Sequence, residues 1–296
     1  MQGFIDALAT IKVSEDATRL FHGRGGHYPG CEHLCLDWFA PVLLLTSFSA
    51  LEAAELALCQ QAITARWQVI QPNQPLNLVY QYRSGGETFS QLLAGDVPEP
   101  HIVTENGARF QVHLLRGQNH GLFLDMANGR EWVRANARHK KVLNLFAYTC
   151  GFSVAALQGG ARHVLNVDMA AGAIATGQHN HALNGLKERA SFMSHDIFKT
   201  WGKITRGGPY GLVIVDPPSH QKGSFIATQD YIKLIRRLPD LRRPEGRVLL
   251  CLNAPQLSPA FLMDQMQEAA PELVFEQRLA NPAVFADVSE DRSLKV

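Results

Sequence analysis

Residues 142–160, VLNLFAYTCGFSVAALQGG, open a pattern that the rest of the chain repeats. Val142, Leu143, Leu145 and Phe146 form an apolar run with the length of an inner parallel strand, and the small residues from Ser153 to Leu157 start a helix. Strand-like runs then recur at HVLNVDM, SFMSHDI, GLVIVDPP, RVLLCLN and LVFEQRL, each separated from the next by a helical stretch. This alternation predicts an α/β architecture, a doubly wound parallel sheet. Open sheets of that kind bind ligands in the loops at the carboxyl ends of their strands, so the strand ends are where site residues are sought.

The front of the chain has a different texture. Phe4, Ile5, Leu8 and Ile11 stand at helical spacing, which predicts a lead-in helix within residues 1–17. Residues 18–104 then read as a smaller α+β domain: CLDWFAPVLLLTSF as strand, SALEAAELALCQQAITARW as helix, LNLVYQYR as strand. LLAGDVPEPH, with two prolines and a Gly-Asp, reads as a linker, and the second domain is expected over residues 105–296. It would open with a hairpin of ARFQVHLL and HGLFLDM, turning at Arg116 to Asn119. With 46% apolar residues in 296, the chain can bury two cores. A formal net charge of +1 neither requires nor forbids a polyanionic partner. Cys31, Cys35, Cys59, Cys150 and Cys251 are odd in number and scattered, which fits reduced thiols. The N-terminus lacks a secretory pattern, and no apolar run reaches the roughly 20 residues of a membrane span, so a cytoplasmic protein without a membrane partner is expected.

Three acids end successive strands. Asp168 closes HVLNVD at the place where a carboxylate accepts hydrogen bonds from ribose hydroxyls. The loop before it holds only Gly151, not the G-x-G-x-x-G that close approach of a pyrophosphate needs, which argues against nicotinamide cofactors. A nucleoside without phosphate, as in S-adenosylmethionine, fits better: backbone groups of the Asn144 to Gly151 loop would take its amino-acid end. Asp196 follows the third strand and would meet the adenine amine, with Ile197 and Phe198 against the ring. Asp216 follows the fourth, and Pro217 and Pro218 fix the backbone beside it, as alignment of a planar base edge requires. Taken singly, Asp168 could be an ordinary strand-end cap and the two prolines a strand terminator.

NLFAYTCGFSVAA, GGARHVLNVDMA, NHALNGL and DPPS together resemble the class I S-adenosylmethionine-dependent methyltransferases that modify bacterial 23S ribosomal RNA, of the 5-methylcytosine and 7-methylguanine types. ENGARFQVHLLRGQNHGLFLDMANGR is similar to that family's leading hairpin, written Gln-x-x-Gly-x-Phe-x-Asp, with Gln118, Gly121, Phe123, Asp125 and Arg130 on its positions. RLFHGRGGHYPGCEHLCLDWFAPVLLL and LVYQYRS are similar to the small central domain that helps relatives hold RNA. The resemblance implies a Rossmann-like methyltransferase sheet and S-adenosyl-L-methionine as cofactor. It implies cofactor contacts from Gln118, Phe123, Asp125, Asn144, Phe146, Ala147, Tyr148, Thr149, Gly151, Asp168, Met169, Asp196, Ile197 and Asp216. Asp216, Pro217, Pro218 and Asn253 would face the target base.

Departures from the family bear on the substrate. The 17 residues ahead of the central domain are too few for the leading PUA domain of cytosine-type relatives, so none is expected within this sequence, and Cys150-Gly151 replaces a usual Gly-Gly. At the fifth strand end LLCLNAP replaces Ser-Cys-Ser, putting Asn253 where cytosine-type enzymes carry cysteine. Carbon 5 of cytosine needs a thiolate to add first, whereas guanine nitrogen 7 needs only alignment with the methyl group. A guanine nitrogen is therefore favoured, and a register slip that brings in Cys251 stays open. His22, His27, Cys31, His33 and Cys35 lack the paired spacing of zinc sites, and no metal is expected. Lys233, Arg236, Arg237, Arg242 and Arg243, and Arg134, Arg138, Lys140 and Lys141, are either solvated faces or phosphate contacts. His220 stands where relatives place a base-stacking aromatic. The expectation is methyl transfer to RNA, most naturally ribosomal; rival readings are a methyltransferase of small molecules or proteins, and a non-catalytic RNA-binding protein that keeps the fold.

Overall fold

The computed structural model describes residues 1–221 and 225–296, the side chains of His220 and Gln221 excepted. The chain divides into two compact units, Met1–Leu124 with Ala283–Glu290, and Asp125–Pro282 with Asp291–Val296.

In the front unit, α1 (Gln2–Leu8) leads into β1 (Thr18–His22), β2 (Leu34–Phe39) and β3 (Val42–Ser47). Helix α2 (Ala53–Ile70) then carries the chain across to β4 (Leu78–Ser84), parallel to β3, and β5 (Glu87–Ala94) returns antiparallel. The strand order is β1-β2-β3-β4-β5. Helix α2 starts at a reciprocal capping pair, Glu52 and Glu55, which satisfies amide groups the first turn leaves free. Alternation along the strands turns Leu34, Leu36, Trp38, Leu43, Leu45, Leu78 and Tyr80 into one core with Cys59, Ile63 and Trp67 of α2 and Phe4 and Leu8 of α1. The paired residues of the other parity, Arg19 with Asp37 and Thr46 with Gln81, give the second face of the sheet polar groups beside the buried Leu44 and Val79.

Two expectations change here. The two ends of the expected linker are strand: Leu92 and Ala94 of β5 pair with Val79 and Leu78, and His101 begins the next strand. The hairpin lies one arm upstream: β6 (His101–Glu105) pairs with β7 (Ala108–Val112), and HGLFLDM forms no strand. Asn106 and Gly107, with φ of 49° and 76°, make the two-residue left-handed turn that Asn-Gly favours, and this turn fixes the register. The hairpin belongs to the front unit, tied by Ala17 N–H to Thr104 O (2.7 Å) and by the His101 ring to Ala40 O (2.9 Å). The observed units thus divide at Leu124 and Asp125, not at residue 104.

The rear unit is the alternating sheet. Its order is β10-β9-β8-β11-β14, from β8 (Lys141–Leu145), β9 (His163–Asp168), β10 (Ala190–Ser194), β11 (Tyr210–Val215) and β14 (Arg242–Leu250), every pair parallel. Helices α3 (Ala127–Asn136), α4 (Gly151–Gln158), α5 (Ala171–Leu183), α6 (Trp201–Arg206), α7 (Ala227–Ile235), α8 (Leu238–Leu241) and α9 (Pro259–Ala269) fill the connections, and β12 (His220–Gln221) pairs with β13 (Phe225–Ile226). Leu143, Leu145, Val167, Val213 and Val215 form the central core with Tyr231, Leu234 and Ile235 of α7. The expected sixth strand, LVFEQRL, is absent, and Val274 and Phe275 are exposed. Beyond β14 the chain instead pairs with its own C-terminal residues: Leu252 N–H donates to Lys295 O (2.8 Å) and Lys295 N–H to Leu252 O (3.1 Å). Among the described residues no helix is long and apolar enough to cross a membrane.

Candidate active site

Parallel register brings the carboxyl ends of five strands to one edge: Leu145 lies beside Val167 and Val215, Asp168 beside Ser194, and Val215 beside Leu250. From β8 the chain winds one way to β9 and β10, and the other side of the sheet is built by β11 and β14. The crevice of such a sheet lies at that change of direction, between β8 and β11.

The loop after β8 has an unusual path. Phe146, Tyr148 and Cys150 have φ of 56°, 46° and 64°, a region L-residues avoid at a cost of order 1–3 kcal/mol each. Its surroundings impose the path. Ala147 N–H donates to Val167 O (3.1 Å), Tyr148 N–H to Asp168 Oδ2 (2.8 Å), Cys150 N–H to Ala147 O (2.7 Å), and Asn180 Nδ2 of α5 to Thr149 O (3.0 Å). Helix α5 approaches so closely that a Cβ on Gly177 would collide with Cys150 Sγ. Cys150 is fully buried, and burial with the nearby Asp168 charge pushes its thiol far up, so it packs. We expect Gly177→Ala to displace the loop, costing about 1–3 kcal/mol of stability and weakening cofactor binding at least tenfold; denaturant melts and calorimetry read the two effects.

Asn144 is placed differently from the sequence expectation. Leu143 and Leu145 face the core, so Asn144 points to the other side of the sheet, where its Nδ2 donates to Asn166 Oδ1 (2.9 Å). Asn166 Nδ2 donates to Ser153 Oγ (3.0 Å), and Ser153 lies 2.8 Å from His181 Nε2. Because His181 Nδ1 sits 2.6 Å from the Gly177 carbonyl, Nδ1 must carry the proton and Nε2 accept from Ser153. Burial lowers the His181 pKa and keeps the ring neutral, as this arrangement needs. The chain of bonds pins α4 and α5 beneath the loop. Nothing in a sequence marks it except polar residues, Asn144 and Asn166, inside two strands that are otherwise apolar.

Asp168 and Asp196 are held by backbone amides. Asp168 accepts Tyr148 N–H on Oδ2 and Ala170 N–H on Oδ1, both at 2.8 Å, so each oxygen keeps lone-pair capacity for a hydroxyl. Asp196 Oδ1 accepts Phe198 N–H (2.9 Å), and Oδ2 lies 3.5 Å from Lys199 Nζ. Ile197, expected against the purine, is spent in the core at 3% exposure. The half-buried Phe198 and Phe146 rings flank Phe225, with centroids 6.4 and 5.3 Å away. Met169 is exposed, Ala147 and Thr149 are buried, and Gly151 starts α4.

Asp216 follows Val215 and is raised to about 7, by burial first and then by Asp125, against the opposing pull of Arg130 and a hydrogen bond from Cys251. The Cys251 thiol is held in turn: its N–H donates to Val215 O (2.9 Å), its carbonyl accepts from Tyr231 OH (2.7 Å), and burial beside Asp216 pushes the thiol far above its ordinary range. Pro217 is buried and Asn253 is exposed. Gln118 and Phe123 are exposed residues of the front unit, whereas Asp125 opens the rear one. Arg130, Tyr231, Gly177, Asn180 and His181 join the site's framework; Arg130 stands on a motif position and Asn180 and His181 fall within NHALNGL, whereas no sequence pattern marks Tyr231 or Gly177 for it. Among the described residues no three His, Cys, Asp or Glu side chains are arranged to hold a metal. His220's side chain lies outside the described residues.

A nucleoside donor fits this edge of the sheet: an amide-anchored carboxylate with free lone pairs after β9, a second acid after β10, aromatic rings between, and no glycine cradle for a diphosphate. Comparison with known proteins agrees. The chain is 30% identical to ribosomal RNA large subunit methyltransferase I of Aeromonas salmonicida, over 77% of this chain and 59% of that one. It is 28% identical to the enzyme of the same name from Erwinia tasmaniensis, over 92% and 71% respectively. The chain therefore spans only part of the length of these relatives. A methyltransferase crystallised with SAH superposes with a TM-score of 0.83 at 25% identity, covering 99% of this chain and 79% of that one. Residues 18–296 match the model of the S-adenosylmethionine-dependent methyltransferases, and with the donor-shaped edge of its parallel sheet the chain belongs to that family.

Proposed function

We propose that the chain transfers a methyl group from S-adenosyl-L-methionine to a base of ribosomal RNA, at a guanine nitrogen in preference to cytosine carbon 5. The bound cofactor supplies an electrophilic methyl group on a sulfonium. The chain's own part is to hold and exclude: Asp168 takes the ribose hydroxyls, Asp196 the adenine amine, and the 146–150 backbone the amino-acid end. Asp216, with Pro217 and Pro218 behind it, presents its carboxylate to the base edge and to the positive charge that a methylated purine nitrogen acquires. RNA as substrate draws on the names of the curated relatives.

The observation that carries the choice of atom is Cys251. A thiol buried, hydrogen-bonded to a carboxylate and pushed far above its ordinary pKa is a poor nucleophile, so direct displacement is supported over covalent addition to cytosine. Cys251→Ala is expected to keep methyl transfer within about threefold of wild type; a loss above a hundredfold would restore the covalent route. Incubating the chain with methyl-labelled cofactor and ribosomal RNA, followed by nucleoside mass spectrometry, tests the function: label in a methylguanosine is the expected result. Label only in 5-methylcytidine, in protein or in a small molecule contradicts it.

A further inference from the structure

The second face of the front unit's sheet carries an imbalance of charge. Arg19 grips Asp37 with two bonds, Nε to Oδ1 at 2.7 Å and Nη2 to Oδ2 at 3.0 Å, which engages both oxygens of that carboxylate, and Asp287 is close enough for its charge to act on His22. Arg19 Nη1 also lies 2.9 Å from His22 Nδ1, and burial with the neighbouring guanidinium groups pushes His22 down to about 4, so the ring is neutral and accepts. Beside this satisfied cluster stand two further arginines. Arg24 follows β1 and Arg83 lies near the end of β4, and their guanidinium carbons sit 4.2 and 5.6 Å from the centroid of the same ring, Phe48, just past β3.

Among the described residues neither Arg24 nor Arg83 has a carboxylate within ion-pair distance. Arg83 Nε is buried with no hydrogen-bond partner, and Arg83 is lowered by burial and by the charges of Arg24 and Arg19. Two uncompensated like charges held around one ring cost free energy in the empty state, and an anion between them removes that cost. A guanidinium resting on an aromatic face keeps its N–H edge available for two-point contact with phosphate oxygens. Phe48 is half-buried and Arg24 exposed, so an extended chain can reach the pair from solvent.

We propose that Arg24 and Arg83, braced on Phe48, form a subsite for a backbone phosphodiester of single-stranded RNA. The inference rests on the reading of RNA as substrate and adds to it a holding point in the front unit, built from residues that take no part in donor binding.

The test is fluorescence anisotropy of a labelled single-stranded RNA oligonucleotide with the full chain, at several salt concentrations. Arg24→Gln and Arg83→Gln are each expected to weaken binding about fivefold, and the double variant about twentyfold. The slope of log affinity against log salt should fall by about 0.7 for each phosphate that is no longer neutralised. Phe48→Leu, which keeps bulk and removes the ring, should weaken binding about threefold with the charge intact. Calorimetric binding of S-adenosylhomocysteine should stay as in wild type for every variant, which also shows that they fold. Unchanged RNA affinity and slope in the double variant overturn the proposal, as does displacement of RNA by oligoglutamate as efficient as by unlabelled RNA. Absence of RNA binding by the wild-type chain overturns it together with the RNA substrate, while the S-adenosylhomocysteine titration judges the methyl donor separately.

Discussion

Asp216→Asn is expected to lower the turnover of methyl transfer by a factor of roughly 10² to 10⁴, the range for loss of a positioned acid or base, while S-adenosylhomocysteine binding changes by only a few fold. The surroundings of the carboxylate set this expectation. Burial and Asp125 raise it to about 7, so near neutral pH a large fraction of the molecules carry a proton there. If the ionised form faces the base, wild-type turnover should rise with pH through about 7 and then level off, and the Asn variant should lose that rise. Stability should move in the opposite sense. A carboxylate whose pKa is raised on folding, from 3.8 to about 7, stabilises the protein fully below the lower value and stops doing so as pH rises through the upper one. Asp216→Asn should therefore gain stability over wild type as pH increases from about 4 to above 7, read as a widening gap in melting temperature. Parallel pH profiles of stability for the two proteins would contradict this placement.

The second large effect is at Asp168. This carboxylate anchors the Tyr148 and Ala170 amides through its two oxygens, and their remaining lone pairs are proposed to take the ribose hydroxyls. Asp168→Ala removes both, and charged hydrogen bonds are each worth about 1.5–3 kcal/mol, so S-adenosylhomocysteine affinity should fall by at least about a hundredfold. The loop should suffer as well, because Tyr148 is one of three residues in left-handed conformation whose path depends on such anchors. Asp168→Asn separates the tasks. It keeps one acceptor oxygen, so it should retain part of the loop order, seen as slower amide exchange over residues 146–150 than in the Ala variant, while still binding the donor poorly. Equal donor affinity in wild type and both variants would remove Asp168 from the site.

The rear sheet is legible in the sequence because its central strands β8, β9 and β11, buried on both faces, leave apolar runs, and the acids that end β9 and follow β11, Asp168 and Asp216, stand out against those runs. LVFEQRL fails the same criterion in the other direction: it has strand composition but forms no strand, its Leu279 N–H donating to Val296 O (2.8 Å) while Lys295 pairs with Leu252 beyond β14. Apolar alternation in HGLFLDM points to the wrong hairpin, whereas the Asn106-Gly107 turn, being the stricter conformational demand, decides the register. The motif position of Asn144 suggests a cofactor contact, yet period-2 alternation against Leu143 and Leu145 turns it away from the core, toward Asn166. The partners Ser153, Gly177, Asn180 and His181 lie on helices, where a polar residue or a glycine reads as surface, and only the three-dimensional approach of α5 to the loop gives them a role. Arg24, Phe48 and Arg83 are separated by dozens of residues and meet only through the pairing of β1, β2, β3 and β4.

Isothermal titration of the chain with S-adenosylhomocysteine, run beside NADH, tests the donor site most directly. One saturable site is expected for the former, abolished or weakened at least a hundredfold in Asp168→Ala, and no binding of the latter. An absence of heat with S-adenosylhomocysteine, or saturable binding of NADH at the same concentrations, would contradict a crevice built for an adenosyl sulfonium.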